Sequence, residues 1–405
     1  MTKRTLWMTA ILGSCAALAS CGANPVGDSL WAADPAGTEK AADAFRVETA
    51  IRLDEPWAMA FAPGTAVLFI TQKAGSIVGF DTATGRKFSV SGAPTVDYGG
   101  QGGLGDIAFL PDETVNTLGQ RTIYLSWAEA GGGNTRGAAV GRGTLDCSTG
   151  DDCTIRDLAV IWRQQPKVSG RGHYSHRLAF SPDGKFLFVA SGDRQKMDPA
   201  QDNGNTLGTI VRLNLDGSPA SDNPFADRGS PSDEIWSYGH RNILGLGFAP
   251  DGRLWDVEHG PRGGDELNLV EPGANYGWPL VSNGMHYNGE AIPEHHTQPG
   301  LAAPATSWTP VIAPGDLLFV TSPLFPDWQG QALITGLSSE ALVRVSIKGG
   351  TAREEARYAF HARLRTVAQA PDGALWLAED GGNARLMRLL PPSSAAAANG
   401  ADAQK

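Results

Sequence analysis

Apolar positions in this chain come in short runs, not in helical stripes. One phrase recurs: an apolar run ending in Ala or a neighbour, a Pro-Asp-Gly-like turn, and a second apolar run. Copies begin at Met59 (MAFAPGTAVLFITQ), Ile107 (IAFLPDETVNTLGQRTIYLSWAE), Leu178 (LAFSPDGKFLFVASGDR), Leu246 (LGFAPDGRLWDVEHG) and Val367 (VAQAPDGALWLAEDGG), with a looser copy from Leu317 (LLFVTSPLFPDWQGQALITGL). Each half is rich in Val, Ile, Leu, Phe and Tyr, and Asp and Gly in the turn supply local hydrogen bonds and positive φ, so each copy predicts a β-hairpin. A less hydrophobic strand follows several hairpins, at residues 76–81, 209–216, 341–347 and 384–390. Long runs with apolar positions at i, i+3, i+4 and i+7 are absent, so long helices are not expected.

One hairpin cannot bury its apolar faces, but repeated sheets packed around an axis can. The six copies predict an all-β fold, a six-bladed β-propeller over residues 45–392. A pair of β-sandwiches is the competing architecture, and six similar units fit closure better.

With 405 residues, 41% of them hydrophobic, the chain has ample material for a large core. Its 51 glycines and 26 prolines match frequent turns, and a net charge of −10 argues against nucleic acid as a partner. Lys3 and Arg4 precede an apolar run from Leu6 to Ala19, too short to span a membrane. Leu18-Ala19-Ser20-Cys21 resembles the lipobox of bacterial lipoproteins, which implies a signal peptide at 1–20 and acylation of the Cys21 thiol. The competing reading is an ordinary secretory signal that happens to contain a Cys. Gly22 after the Cys points to the outer membrane of a Gram-negative cell, so the expected address is periplasmic or cell-surface, with the lipid anchor as the membrane contact. Residues 21–44 read as a flexible tether and 393–405 as a low-complexity, disordered tail. Of the four cysteines, Cys147 and Cys153 flank a Gly-Asp turn and predict a local disulfide in an oxidising compartment. A metal pair there lacks nearby His or Cys partners.

The chemistry concentrates between Asp233 and Pro279, where His240, Arg241, Asn242, Glu258, His259, Arg262, Asp265, Glu266 and Asn268 crowd beside glycines. Such density suggests loops lining a site. Gly260 to Glu266 offers bare carbonyls and then two carboxylates, which suits Ca²⁺ but lacks EF-hand spacing. His173 precedes a hairpin that Asp193 ends, so the two are expected as neighbours, the carboxylate fixing one imidazole nitrogen and leaving the other as a base. His176 is the competing base. Arg363 and Arg365 alternate and point the same way in an extended segment, a carboxylate clamp. Gln101 heads the second copy and can hydrogen-bond a polar ligand. His295 and His296 read as a surface pair. Serine-hydrolase, zinc-protease and P-loop signatures are missing.

GQGGLGDIAF, GHYSHRLAFSPDG, EIWSYGHRN, EHGPRGGDELNL, GANYGWP and RLRTVAQAPDG together resemble the soluble quinoprotein sugar dehydrogenases, the aldose sugar dehydrogenase branch of the glucose/sorbosone dehydrogenase family. The resemblance covers about residues 45–392 and implies a six-bladed propeller carrying pyrroloquinoline quinone (PQQ) and Ca²⁺ on one face. It implies His173 as the base for the sugar C1 hydroxyl, with hydride passing to the quinone, and Asp193 orienting His173. Gln101 would contact sugar or quinone, and Arg241 and Asn242 the quinone oxygens. Arg363 and Arg365 would hold PQQ carboxylates with Asp380 beside them. Gly260 and Pro261 would offer carbonyls to the Ca²⁺ at PQQ, and Asp265, Glu266 and Tyr276 match a second, structural Ca²⁺ site. Two departures from the glucose dehydrogenase branch stand out: Ser338 where that branch has a PQQ-binding Lys, and Gly172 where it has an acid. The absence of that branch's dimer-forming insertions implies a monomer. The expected activity is oxidation of aldose sugars to lactones, with the electron acceptor unknown. The alternative is a non-enzymatic propeller lipoprotein that binds carbohydrate or protein.

Overall fold

The computed structural model describes residues 38–148 and 152–392. The signal segment, Cys21 and the tail at 393–405 lie outside the described residues. The chain is all-β, and its described strands form five sheets. Three have four strands, one has five, and one has eight. The eight-stranded sheet is two antiparallel quartets joined where Arg86–Ser91 and Cys153–Arg163 run parallel, with only Val90–Cys153 and Ser91–Thr154 in register. Cys153 is disulfide-bonded to Cys147, as the spacing predicts.

Each repeat places its first strand in the interior. These are Pro56–Phe61, Leu104–Phe109, Ser175–Phe180, Ile243–Phe248, Pro314–Phe319 and Leu364–Gln369. Each packs against the first strand of the repeats before and after it, and the last packs against the first. Their pairing with the following strand slips near the start every time, between Pro56 and Ala58, Leu104 and Ile107, Ser175 and Leu178, Ile243 and Gly245, Pro314 and Asp316, and Leu364 and Thr366. Such irregularities bend the strand and re-aim side chains, and they favour rims and sites.

A second regularity lies just outside the slips. A backbone N–H after the second strand, or near its end in the second repeat, donates to a carbonyl before the first: Lys73 to Glu55 at 3.0 Å, Ala128 to Gly103 at 2.9 Å, Arg194 to His173 at 3.2 Å, His259 to Asn242 at 3.0 Å, Leu337 to Ala313 at 2.8 Å and Asp380 to Arg363 at 2.8 Å. Every repeat therefore delivers its entering and leaving residues to the same end of the hairpin.

Two parts of the chain depart from expectation. Residues 38–44, read as the end of the tether, are ordered: Thr38–Lys40 pairs parallel with 357–359, and Ala41–Ala44 makes one helical turn. The cause is local apolar content. Ala41 is buried, and the adjacent Phe45 is 2% exposed, its ring edge-on to Phe325, Trp328 and Tyr358. The other departure is a strand before the first repeat. Arg46–Leu53 pairs antiparallel with Ala384–Leu390, so the N-terminal strand completes the last sheet. The looser repeat from Leu317 is loose because a loop with a short 3₁₀ turn at Pro326–Trp328 separates its two strands.

Candidate active site

His173 and Asp193 meet as the hairpin geometry predicts. His173 Nδ1 lies 2.7 Å from Asp193 Oδ1. The second carboxylate oxygen accepts the indole N–H of Trp278 at 2.8 Å, and Oδ1 also accepts the Gln195 N–H at 2.8 Å. Gln101 Oε1 accepts the His173 backbone N–H at 2.7 Å. The ring is therefore held on its Nδ1 side, while Nε2 has no protein partner among the described residues. His173 is 6% exposed and Asp193 is fully buried.

This placement requires an unusual backbone. His173, Ser175 and His176 have φ of 48°, 58° and 52°, the left-handed region that costs side-chain-bearing residues energy. Gly192 is what lets the leaving strand approach: a Cβ there would sit 2.1 Å from the His173 carbonyl oxygen.

Burial lowers the His173 pKa, and the nearby charges of Arg241 and Arg194 add to this, against the raising effect of Asp193. Burial pushes Asp193 up, but the hydrogen bond and charge of His173 and the charge of Arg241 leave it below its ordinary value. The pair thus presents a neutral imidazole backed by a carboxylate. His176, the competing base, is held differently and lines the cavity described next. It stacks on Trp57 at 4.8 Å, its Nδ1 meets Ser126 Oγ at 2.9 Å, and burial pushes it down to about 3.

A cavity of about 280 Å³ opens against Tyr174, Ser175 and His176, the residues that follow His173. Gln101, Tyr174, Ser175 and Asn242 form part of its wall, and Arg363, Arg365 and Asp380 another part. Arg363 Nε donates to Asp380 Oδ2 at 3.0 Å, and Arg365 donates through Nε and Nη2 to Oδ1 at 2.9 and 2.8 Å. Both guanidiniums converge on one carboxylate, as their alternation predicts. Burial raises Asp380, yet the two arginines hold it below its ordinary value. Two guanidiniums against one carboxylate leave one positive charge on this wall.

Arg241 lies close enough to His173 for its charge to lower the imidazole pKa. Its backbone N–H donates to Glu258 Oε2 at 2.6 Å, and Nη1 donates to the carbonyls of Gly260 at 2.7 Å and His259 at 3.1 Å. Its Nε is buried without a partner, a donor left over for a ligand. His259 ties the parts together. Its Nε2 lies 2.7 Å from the Pro314 carbonyl oxygen, and its pKa falls to about 3 through burial and then the charges of Arg241, His173 and Arg365. The residues expected around one ligand are therefore neighbours.

The expected Ca²⁺ residues divide. The Gly260 carbonyl is taken by Arg241, and its N–H donates to Asp265 Oδ1 at 2.9 Å. A Cβ at Gly260 would lie 2.2 Å from the Gly264 carbonyl oxygen, so the loop closes only with glycine. Asp265 accepts the Ala313 N–H with its second oxygen at 2.6 Å, so here it clamps two backbone segments. Glu266 is buried with its pKa raised, first by burial and then by the charge of Glu258. Tyr276 donates its hydroxyl to the Leu269 carbonyl at 2.5 Å, which leaves its own carbonyl facing His295 Nε2 at 3.1 Å. His295, read as surface, is buried, because its ring fills the space between Tyr276 and Glu266; His296 is exposed. Gly260, Pro261, Glu266 and Tyr276 nevertheless line one void of about 10 Å³, together with Glu258; Asp265 does not. Pro261 and Ser338 line a larger, mostly apolar cavity of about 610 Å³ with Met285, Tyr287 and Pro310.

Trp278 and the role of His259 escaped the sequence reading. Trp278 lies 85 positions from the carboxylate it anchors, and no local pattern signals that contact.

The family model for glucose/sorbosone dehydrogenase matches residues 53–388. Aldose sugar dehydrogenase YliI of Escherichia coli K12 is 37% identical over 347 residues, covering 84% of this chain and 91% of that protein. The crystal structure of the soluble aldose sugar dehydrogenase from Escherichia coli in the apo-form matches with a TM-score of 0.79 at 36% identity, covering 86% of this chain and 100% of that one. The PQQ-bound form of aldose sugar dehydrogenase from Streptomyces coelicolor matches with a TM-score of 0.71 at 29% identity, covering 85% and 98%. A buried His–Asp pair beside an arginine-walled cavity, in a chain matched along most of its length, makes this protein a sugar dehydrogenase belonging to the glucose/sorbosone dehydrogenase family.

Proposed function

We propose that this chain is a six-bladed β-propeller quinoprotein that oxidises aldose sugars at the C1 hydroxyl to lactones, with PQQ and Ca²⁺ as cofactors and His173 as general base. Six antiparallel quartets whose first strands pack in a cycle support the architecture. The observation that carries the function is His173, backed by Asp193 and Trp278, beside a wall where Arg363 and Arg365 outnumber Asp380.

The residues fit a flat, triply acidic ligand. Arg363 and Arg365 match carboxylates in fork geometry, and the orphaned Arg241 Nε and the Asn242 amide suit quinone oxygens. PQQ, when bound, supplies the hydride acceptor, and Ca²⁺ polarises it. Pro261 and Gly260 would give that ion their carbonyls once Arg241 turns to the cofactor. Glu266 and the Tyr276 carbonyl fit a structural Ca²⁺, because a cation would relieve the buried carboxylate.

The chain's own part is proton handling and orientation. Nε2 of His173 takes the C1 hydroxyl proton, and Asp193 holds the ring and stabilises the imidazolium that forms. Trp278 keeps Asp193 from turning away. Gln101 fixes the His173 backbone and, with the cavity wall, orients sugar hydroxyls.

The test is reconstitution. Purified apoprotein should reduce a dye with an aldose only after PQQ and Ca²⁺ are added, and PQQ absorbance should titrate to one equivalent. No gain with any sugar would remove the enzymatic reading; activity without PQQ would remove the cofactor. We also propose anchoring through an acylated Cys21; Cys21→Ser should release the protein from the membrane fraction.

A further inference from the structure

We propose that His240, Asp256 and Glu258 form a binding site for one divalent transition-metal ion, of the zinc or manganese class, separate from the Ca²⁺ residues above. Asp256 and Glu258 lie two apart on the strand Leu254–Glu258, so they share a face. His240 comes from the turn ahead of the strand Ile243–Phe248. All three are at most 3% exposed, and one ligand atom from each lies within 4.8 Å of the others.

The two distances from His240 are close to those of a coordination shell. His240 Nδ1 is 3.1 Å from Glu258 Oε1 and 3.6 Å from Asp256 Oδ2. A tetrahedral ion with bonds of about 2.0–2.2 Å holds its ligands about 3.3–3.6 Å apart. Asp256 Oδ2, fully buried, has no hydrogen-bond partner. Burying a carboxylate oxygen unpaired is costly, and a cation removes that cost.

Of the three ligand atoms only Asp256 Oδ2 is without a partner; His240 Nδ1 and Glu258 Oε1 are within hydrogen-bond reach of each other, a contact an ion would replace. Ser237 Oγ lies 2.9 Å from His240 Nε2. If Nε2–H donates to that hydroxyl, the Nδ1 lone pair faces two carboxylates, which repels unless a cation lies between. Metal-bound histidines have this second hydrogen bond. Asn268 Nδ2 donates to Asp256 Oδ1 at 3.3 Å and Glu258 Oε1 at 3.0 Å, and Glu258 Oε2 accepts the Arg241 N–H. An imidazole and two carboxylates suit zinc or manganese; Ca²⁺ wants six or more oxygens. An ion here would tie the end of the Leu254–Glu258 strand to the backbone of Arg241, and so brace the site without entering its chemistry.

The full-length protein, stripped with a chelator, is titrated with Co²⁺ and, separately, with Zn²⁺ followed by elemental analysis. One equivalent should bind, with visible Co²⁺ bands of tetrahedral or five-coordinate nitrogen–oxygen ligation, and millimolar Ca²⁺ should not displace it. Asp256→Asn should weaken binding by at least about 10-fold, the cost of disturbing even an outer partner of such a site. A spectrum like free Co²⁺, displacement by Ca²⁺, or unchanged binding by folded Asp256→Asn overturns the proposal. If that variant does not fold, the Co²⁺ spectrum of the unaltered protein decides.

Discussion

Asp193 holds His173 and Trp278 at once, one carboxylate oxygen to each, at 2.7 and 2.8 Å. The carboxylate therefore cannot rotate, and the imidazole it orients keeps a single free nitrogen. Preorganisation of this kind comes from folding, through a hairpin and a loop far apart in the chain.

It follows that His173→Gln should still bind PQQ but lose turnover by about 10²–10⁴-fold, the usual worth of a positioned base. Because burial lowers the His173 pKa, the base form persists below the ordinary pH of about 6.5, so the acid limb of kcat/KM should lie below that value. Asp193→Asn removes the contribution that raises His173, and the limb should move further to acid while the rate falls. A pH–rate profile of the reconstituted enzyme checks both. An acid limb above 6.5 would contradict the assignment.

Arg365 and Arg363 differ in burial, and their substitution should differ accordingly. Arg365 has 12% of its side chain exposed and Arg363 has 47%. Arg365→Ala should weaken PQQ binding by about 10- to 100-fold, as loss of a charge-assisted hydrogen bond of about 1.5–3 kcal/mol requires. Arg363→Ala should cost less, because solvent screens it. Asp380→Ala strands Arg365 and should destabilise the apoprotein, which thermal melting without cofactor reads.

Phe45 should matter although it stands at the edge of the segment read as a tether. Its ring is packed by Phe325, Trp328 and Tyr358. Phe45→Ala should cost about 3–5 kcal/mol. Truncation of the chain ahead of Asp54 should do more damage, since it also removes the strand Arg46–Leu53 and opens the edge of Ala384–Leu390. Equilibrium denaturation compares them.

Glu234 gives a stability prediction away from the site. It is 8% exposed, accepts the Trp162 indole N–H at 2.7 Å, and burial pushes its pKa up to about 7. Between the ordinary value of 4.5 and about 7, the folded protein holds a proton that the unfolded chain has lost. Stability should therefore fall as pH rises through that window, by at most about 1.4 kcal/mol per unit. Glu234→Gln should flatten that slope in denaturation curves taken across it.

Much of this protein is written locally. Short apolar runs closed by Pro-Asp-Gly-like turns specify hairpins, since neighbours in sequence pair without long loop closure. The same logic put His173 beside Asp193 and made Arg363 and Arg365 point one way, because a hairpin joins its ends and a strand alternates its faces. The Cys147–Cys153 bond, six positions apart, was equally local. Tertiary structure alone decided the rest. Arg46–Leu53 finds its partner in Ala384–Leu390, at the far end of the chain, a pairing no window of sequence contains. His176 and His173 are the same residue type three positions apart, and only packing gave one of them Asp193 as its partner and the other Trp57 and Ser126. Asp265 and Glu266 read alike as carboxylates, yet backbone N–H groups claim the first, while the second is buried beside Glu258 with its pKa raised. The physical reason is common to all three. Which polar atom stays free depends on which partners arrive, and partners arrive through closure of the whole chain.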